Sequence, residues 1–300
     1  AEKFTLGNRN IQGAALHPGT GELWTHEHGP QGGDEVNVIR AGRNYGWPVI
    51  GYGVNYTTGL AIHEGTHKDG FTPPAHVWVP SIGVSGMIFY GGDKFAGWKG
   101  DMLVGGMSGQ RLVRMKLDGR RVVADEILIQ GMGRMRDVQQ GPDGSIYVLA
   151  LGESASTTKP DVATAATPEN KTVSVDKPNP AAPEPPAKSR YDLTGAKSAV
   201  YRILPDGATD ILWTSSTVTG FSLYAHQTGN GVLLGTSDKG RIYNIGNDGR
   251  DTLVLQTDAN QISTIQMAGK SLIATSSNQG SLFRFGPETV AEGTYDSSVL

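Results

Sequence analysis

The sequence predicts an all-β fold, a β-propeller of four-stranded blades, on three observations. Glycine supplies 42 of the 300 residues, about twice its average share, as in a chain that turns often. The stretches "GVLLGTSDKGRIYNIGNDG" (231–249) and "KSLIATSSNQGSLFRFGPE" (270–288) align at an offset of 39 residues. No segment carries a competing helical periodicity. A period near 40 residues with about four strands per unit marks a propeller. A β-helix or a two-sheet sandwich is the architectural alternative.

Taken in order, the elements fall into about five blades or part-blades, near 11–80, 85–130, 135–217, 220–257 and 261–300. The second blade contains "GDMLVGGMSGQRLVRMKLDG" (100–119): a short apolar strand, a polar glycine turn, an alternating strand and a "DG" turn. The third begins at "GSIYVLALGES" (144–154) and resumes at "SAVYRILPDG" (198–207). Between them, residues 154–190 are rich in Pro, Ala, Thr and Lys and have almost no large apolar residue. Such a segment buries too little surface to offset its ordering entropy. It is expected to be a disordered insert within a hairpin, with a short glycosylation sequon at Asn170. The expected organisation is 1–153, then the insert, then further blades over 191–300.

Composition excludes several classes. With 37% hydrophobic and 18% charged residues, the chain can build a core and wholesale disorder is excluded. A formal net charge of −3 gives no electrostatic case for nucleic acid or an anionic membrane. No run of 18 apolar residues suggests a membrane span. Cysteine is absent, which excludes disulfides, thiolate metal sites and thiol nucleophiles and fits an oxidising compartment. The chain begins with Ala rather than Met, so it is read as processed, trimmed or lacking its start.

One stretch does not fit a plain strand or linker. "WTHEHGPQGGDEVN" (24–37) packs two histidines, three acids, three glycines and a proline into fourteen residues. With its surroundings, "RNIQGAALHPGTGELWTHEHGPQGGDEVNVIRAGRNYGWPVIGYG", it resembles the soluble pyrroloquinoline quinone (PQQ)-dependent aldose dehydrogenases, the glucose/sorbosone dehydrogenase family. The likeness continues through "HVWVPSIGVSGMIFYGG", "DMLVGGMSGQRLVRMKLDG" and "GRMRDVQQGPDGSIYVL", in the family's order, and covers about residues 7–150. It implies a six-bladed propeller carrying the quinone across a calcium ion (Ca2+).

Residue by residue, the resemblance assigns cofactor binding to Arg9, Asn10, Arg134 and Arg136. The quinone's three carboxylates suit guanidinium forks. In a regular strand an i, i+2 pair such as Arg134 and Arg136 shares one face. Read alone, these arginines are surface residues in weak ion pairs. Gly29 and Pro30 match the carbonyls that hold the cofactor-bound calcium, and hard oxygen ligands suit that ion. Glu35 and Tyr45 match a second calcium site, through a carboxylate and a main-chain oxygen; alone, Glu35 reads as a solvated acid. His26 and His28 carry the imidazoles that transition metals favour, but match pocket wall in the family.

The chain departs from the family twice. Ser108 stands where the family usually has a cofactor-contacting lysine, so one cationic partner is replaced by a hydroxyl. The family's general-base histidine, with its neighbouring aspartate, belongs to a half that precedes this chain. His63, His67 and His76 follow, and their spacing marks none as a replacement, so no catalytic residue is assigned. Residues 196–300 resemble generic bacterial propeller repeats. The expected function is quinone- and calcium-dependent oxidation of an aldose at C1, in truncated or impaired form, with an external electron acceptor, in the periplasm or secreted. The alternative is a non-catalytic propeller that binds a protein or glycan.

Overall fold

In the computed structural model, residues 3–152, 193–226, 229–277 and 280–286 are described. The expected insert at 154–190, its sequon and the end of the last blade lie outside them. Strands build five sheets, and no α-helix occurs among the described residues. The first blade is β1 (Ile11–Leu16), β2 (Leu23–Glu27), β3 (Asp34–Ile39) and β4 (His76–Trp78). The second is β5 (Val84–Phe89), β6 (Met102–Gly106), β7 (Arg111–Asp118) and β8 (Arg121–Gln130). The third is β9 (Arg134–Gln140), β10 (Ile146–Leu151), β11 (Ser198–Ile203) and β12 (Thr209–Ser215). The fourth is β13 (Gly220–Ala225), β14 (Val232–Thr236), β15 (Arg241–Ile245) and β16 (Asp251–Gln256). The fifth is β17 (Thr264–Ala268), β18 (Ser271–Thr275) and β19 (Leu282–Phe285).

Each sheet is an antiparallel meander. Inner strands of successive blades pack side by side: β1 on β5, β5 on β9, β9 on β13 and β13 on β17. This is a five-bladed propeller, the expected fold. The five blades or part-blades expected of this chain are the ones the described residues form.

The third blade is built from sequence on both sides of residues 153–192. β10 pairs with β11 from Ile146↔Ile203 to Leu151↔Ser198, so residues 153–192 connect the two arms of one hairpin. All six residues of β10 are buried, because side chains alternate between two cores. Ile146, Val148 and Ala150 join Leu103 and Tyr90 of the second blade. Tyr147 and Leu149 join Leu223, Val232 and Leu234 of the fourth. A further core joins the first and second blades around Trp24, Val84 and Met102. Another joins the fourth and fifth around Ile242, Ile262 and Ile265.

Polar staples at the inner strands reinforce these cores. Buried Asp34 accepts the Gly29 amide (3.2 Å), the Gly83 amide (2.7 Å) and the Val84 amide (3.2 Å), tying the first blade to the second. Ser85 Oγ donates to the Met135 carbonyl at 2.6 Å. Asp137 accepts the Leu223 amide at 2.7 Å. Ser222 Oγ donates to the Ile262 carbonyl at 3.3 Å.

Candidate functional site

The β2–β3 hairpin builds the densest group of unusual side chains. Its register sets Glu27 opposite Glu35. Asn37 Nδ2 donates to Glu27 Oε1 at 3.2 Å and to Glu35 Oε2 at 3.3 Å, which places both carboxylates at one point. Burial pushes both carboxyls above the usual range; Glu35 is raised to about 7, with the Glu27 charge adding to the effect and the Asn37 bond opposing it. The turn between the strands needs its glycines. A Cβ on Gly29 would collide with the carbonyls of Gly32 and Gly33, and Gly33 has φ +76° with the Gly53 amide 2.9 Å from where a Cβ would stand. The loop thus folds tightly on itself and on residues 52–53.

A cavity of about 20 Å³ lies beside the pair, lined among others by Arg9, Glu27, Gly29, Pro30, Glu35 and Tyr45. That is room for one water- or cation-sized occupant. The four residues assigned to metal binding therefore meet at one place, with Glu27 as an unassigned fifth. Two carboxylates that burial makes costly to ionise, beside a small cavity, fit a hard cation. The Tyr45 phenol is already engaged, donating to the Val38 carbonyl at 2.6 Å and accepting the Arg40 amide at 2.9 Å. Its main chain is the part left for an ion.

Arg9 spans the pocket. Its amide donates to Glu27 Oε2 at 2.6 Å, and Nη1 donates to the His28 carbonyl at 2.9 Å and the Gly29 carbonyl at 2.8 Å. Its guanidinium carbon lies 5.0 Å from the Trp47 ring centroid, and its Nε is buried without a partner. The Gly29 carbonyl, which also accepts from Tyr56 OH at 3.4 Å, thus faces donors.

The other assigned residues lie apart. Arg136 lines a second, axial cavity. Asn10 and Ser108 are exposed, and Arg134 is half-buried at the start of β9; none of the three lines either cavity. Ser108 Oγ donates to the Ser81 carbonyl at 3.4 Å. The shared face expected for Arg134 and Arg136 does not form as a regular strand would make it. Asp137 pairs with Leu149 and Met135 with Ala150, so Arg136 is an extra, bulged residue. A bulge re-aims side chains, and here Arg136 and Asp137 both reach the axial cavity.

The histidines separate by environment. His26 is fully buried, and burial pulls its pKa down to about 4. His28 Nε2 lies 2.7 Å from the Val84 carbonyl. His63, which spacing alone did not single out, lines the first-blade cavity with Nδ1 2.9 Å from the Pro48 carbonyl. Glu27 was missed as well, although the hairpin implied by "HGPQGG" sets it across from Glu35. No group of three or more His, Cys, Asp or Glu side chains placed for a metal occurs among the described residues.

The fold and the match to a known family together define a sugar-dehydrogenase-like β-propeller. The chain belongs to the glucose/sorbosone dehydrogenase family, whose model matches residues 1–159. It is 42% identical over 152 residues to the aldose sugar dehydrogenase YliI of Escherichia coli, covering 50% of this chain and 41% of that one. It is 28% identical over 221 residues to quinoprotein glucose dehydrogenase B of Acinetobacter calcoaceticus, covering 56% of this chain and 46% of that one. The chain thus spans less than half the length of these curated relatives. A chain in the crystal structure of a nidogen/laminin complex matches 93% of this chain and 80% of its own length, at 10% identity and a TM-score of 0.51, which shows the propeller fold. No helix of the described residues is long and apolar enough to cross a membrane.

Proposed function

We propose that this chain is a quinoprotein of the periplasm or extracellular space that binds PQQ with Ca2+ and oxidises an aldose at C1, passing electrons to an external acceptor. The observation that carries the reading is the convergence of Arg9, Gly29, Pro30, Glu35 and Tyr45 on one cavity beside a buried carboxylate pair. When bound, the quinone supplies a two-electron acceptor and calcium a Lewis acid. Glu27 and Glu35 would hold a cation, relieving the burial that raises their carboxyls. Arg9 and Arg136, each with a buried, unpartnered Nε, would take ligand carboxylates. Ser108 offers one hydrogen bond and no charge.

A second reading, a non-catalytic module for a protein or glycan, has one observation in its favour. Both histidines that line the pocket, His28 and His63, set a ring nitrogen against a backbone carbonyl, of Val84 and of Pro48, rather than against a carboxylate. Loss of general-base assistance slows such chemistry by about 10²–10⁴-fold. The test is dye reduction by glucose with the full chain. Slow turnover that needs both quinone and calcium is expected. Dye reduction no faster than the quinone-free blank, at saturating quinone and calcium, would replace this reading with the second.

A further inference from the structure

A further cavity, of about 420 Å³, opens at the seam between the third and fourth blades, where β11 and β12 meet the turn between β15 and β16. That volume is within the usual range for a small-molecule site. The cavity shares no lining residue with the first-blade pocket or the axial cavity. All its lining residues lie beyond residues 1–159, the part that the family model matches. Strand register builds one wall: Tyr147, Arg202 and Asp210 stand side by side across β10, β11 and β12. Tyr147 is buried in the core between the two blades. Its hydroxyl donates to Asn247 Oδ1 at 2.9 Å, and Asn247 Nδ2 donates to the Gly229 carbonyl at 2.6 Å. Both ends of that amide are thereby held. Gly249 closes the seam, because at φ +80° a Cβ there would stand 2.7 Å from the Leu212 carbonyl.

The charges in this cavity balance. Arg202 Nη2 lies 3.5 Å from Asp210 Oδ2, a stretched ion pair, and Arg202 Nε is buried without a partner. Guanidinium and carboxylate are thus neighbours that satisfy each other only in part. Asp248, on the facing turn, accepts the Arg250 amide at 3.1 Å and lies 3.6 Å from Arg250 Nε. Each acid has its arginine, so the cavity exerts little net pull on an ion. What it offers is a carboxylate that accepts, a guanidinium that only donates, and an anchored amide with one donor and one acceptor position left. A sugar hydroxyl both donates and accepts, so two adjacent hydroxyls can bridge Asp210 and Arg202. Half-buried Ile211 and Leu212 add an apolar wall for the carbon face of such a ring.

We propose that this seam cavity binds a neutral saccharide, with Asp210 accepting from one hydroxyl, Arg202 donating to its neighbour and Asn247 making a further polar contact. The balanced charges set a saccharide apart from a simple carboxylate or an amine. The adjacent donor and acceptor set it apart from an apolar ligand. The site needs neither quinone nor calcium and stands whichever reading of the first-blade pocket holds.

The test is calorimetric titration of the full chain, in chelator and without quinone, with methyl α-glucoside, methyl α-galactoside and methyl α-mannoside. A methyl glycoside has no free anomeric hydroxyl, so the result is independent of any oxidation at C1. At least one of these sugars should bind saturably, and acetate and glycine each at least about tenfold more weakly. Asp210→Asn and Arg202→Gln should each weaken that sugar by about tenfold or more, with melting curves confirming that each variant folds. Should Arg202→Gln fail to fold, Arg202→Lys, which keeps the charge and loses the fork, takes its place. Absence of saturable binding by all the glycosides would overturn the site. So would glycine or acetate binding as tightly as the sugar, or wild-type affinity in either folded variant.

Discussion

Glu27 and Glu35 stand opposite each other in the register of one hairpin, and burial leaves both reluctant to ionise. A cation that enters the folded chain alone, at a hundred times its dissociation constant, adds about 2.7 kcal/mol. Calcium is therefore expected to raise the melting temperature by several degrees over chelator, and Glu35→Gln to abolish most of the difference. Superimposable melts in calcium and chelator would remove the cation from the account. His26 gives a second prediction at this scale. Its folded pKa is depressed to about 4 from an ordinary 6.5, so between these values the unfolded chain binds more protons. Stability is then lost as pH falls from about 6.5 to about 4 and changes no further below. Denaturant titrations should show the wild type losing stability relative to His26→Leu across that window. A pH-independent difference between the two would contradict the burial of a neutral ring.

At the scale of elements, strands and hairpins were readable because local chemistry dictates them: glycine turns, "DG" pairs and alternating apolar residues. The third blade could be joined across residues 154–190 for the same reason, since "GSIYVLALGES" and "SAVYRILPDG" each carry half of a recurring hairpin. The bulges were not readable. Whether Arg136 or Phe221 is the extra residue depends on pairing with β10 and β14, and composition does not encode that register. The same ignorance made Arg134 and Arg136 look like partners on one face. Glu27 lay between these cases: its hairpin was visible, and only the register across it was needed. The seam between family-like and generic sequence runs through the third blade, whose Leu149 packs into the core shared with the fourth. Leu149→Ala should cost about 2–5 kcal/mol in one cooperative unfolding transition. The half-exposed Leu253, replaced by Ala, should change stability by no more than about 0.5 kcal/mol. A biphasic transition in which residues 3–152 stay folded would show the two parts to be independent.

On the scale of the whole molecule, five blades share four inter-blade cores, and the family match covers the first two blades and part of the third. The proposed cation site lies in the first blade, where the 24–37 stretch folds into a small pocket under Arg9. That pocket was legible because most of its residues stand close together along the chain. The axial cavity was not: Arg136 and Phe221, far apart in the chain, meet because β9 packs on β13.

The most direct test of the central claim, that the first blade keeps a working quinone and calcium floor, is a titration of the full chain with PQQ followed by the quinone's absorbance. The account predicts saturable binding in calcium, its loss in chelator, and affinity at least about tenfold weaker in Arg9→Gln, the loss of one charge-assisted bond. A spectrum that does not change in the presence of calcium, or an Arg9→Gln variant that binds as the wild type does, would contradict it.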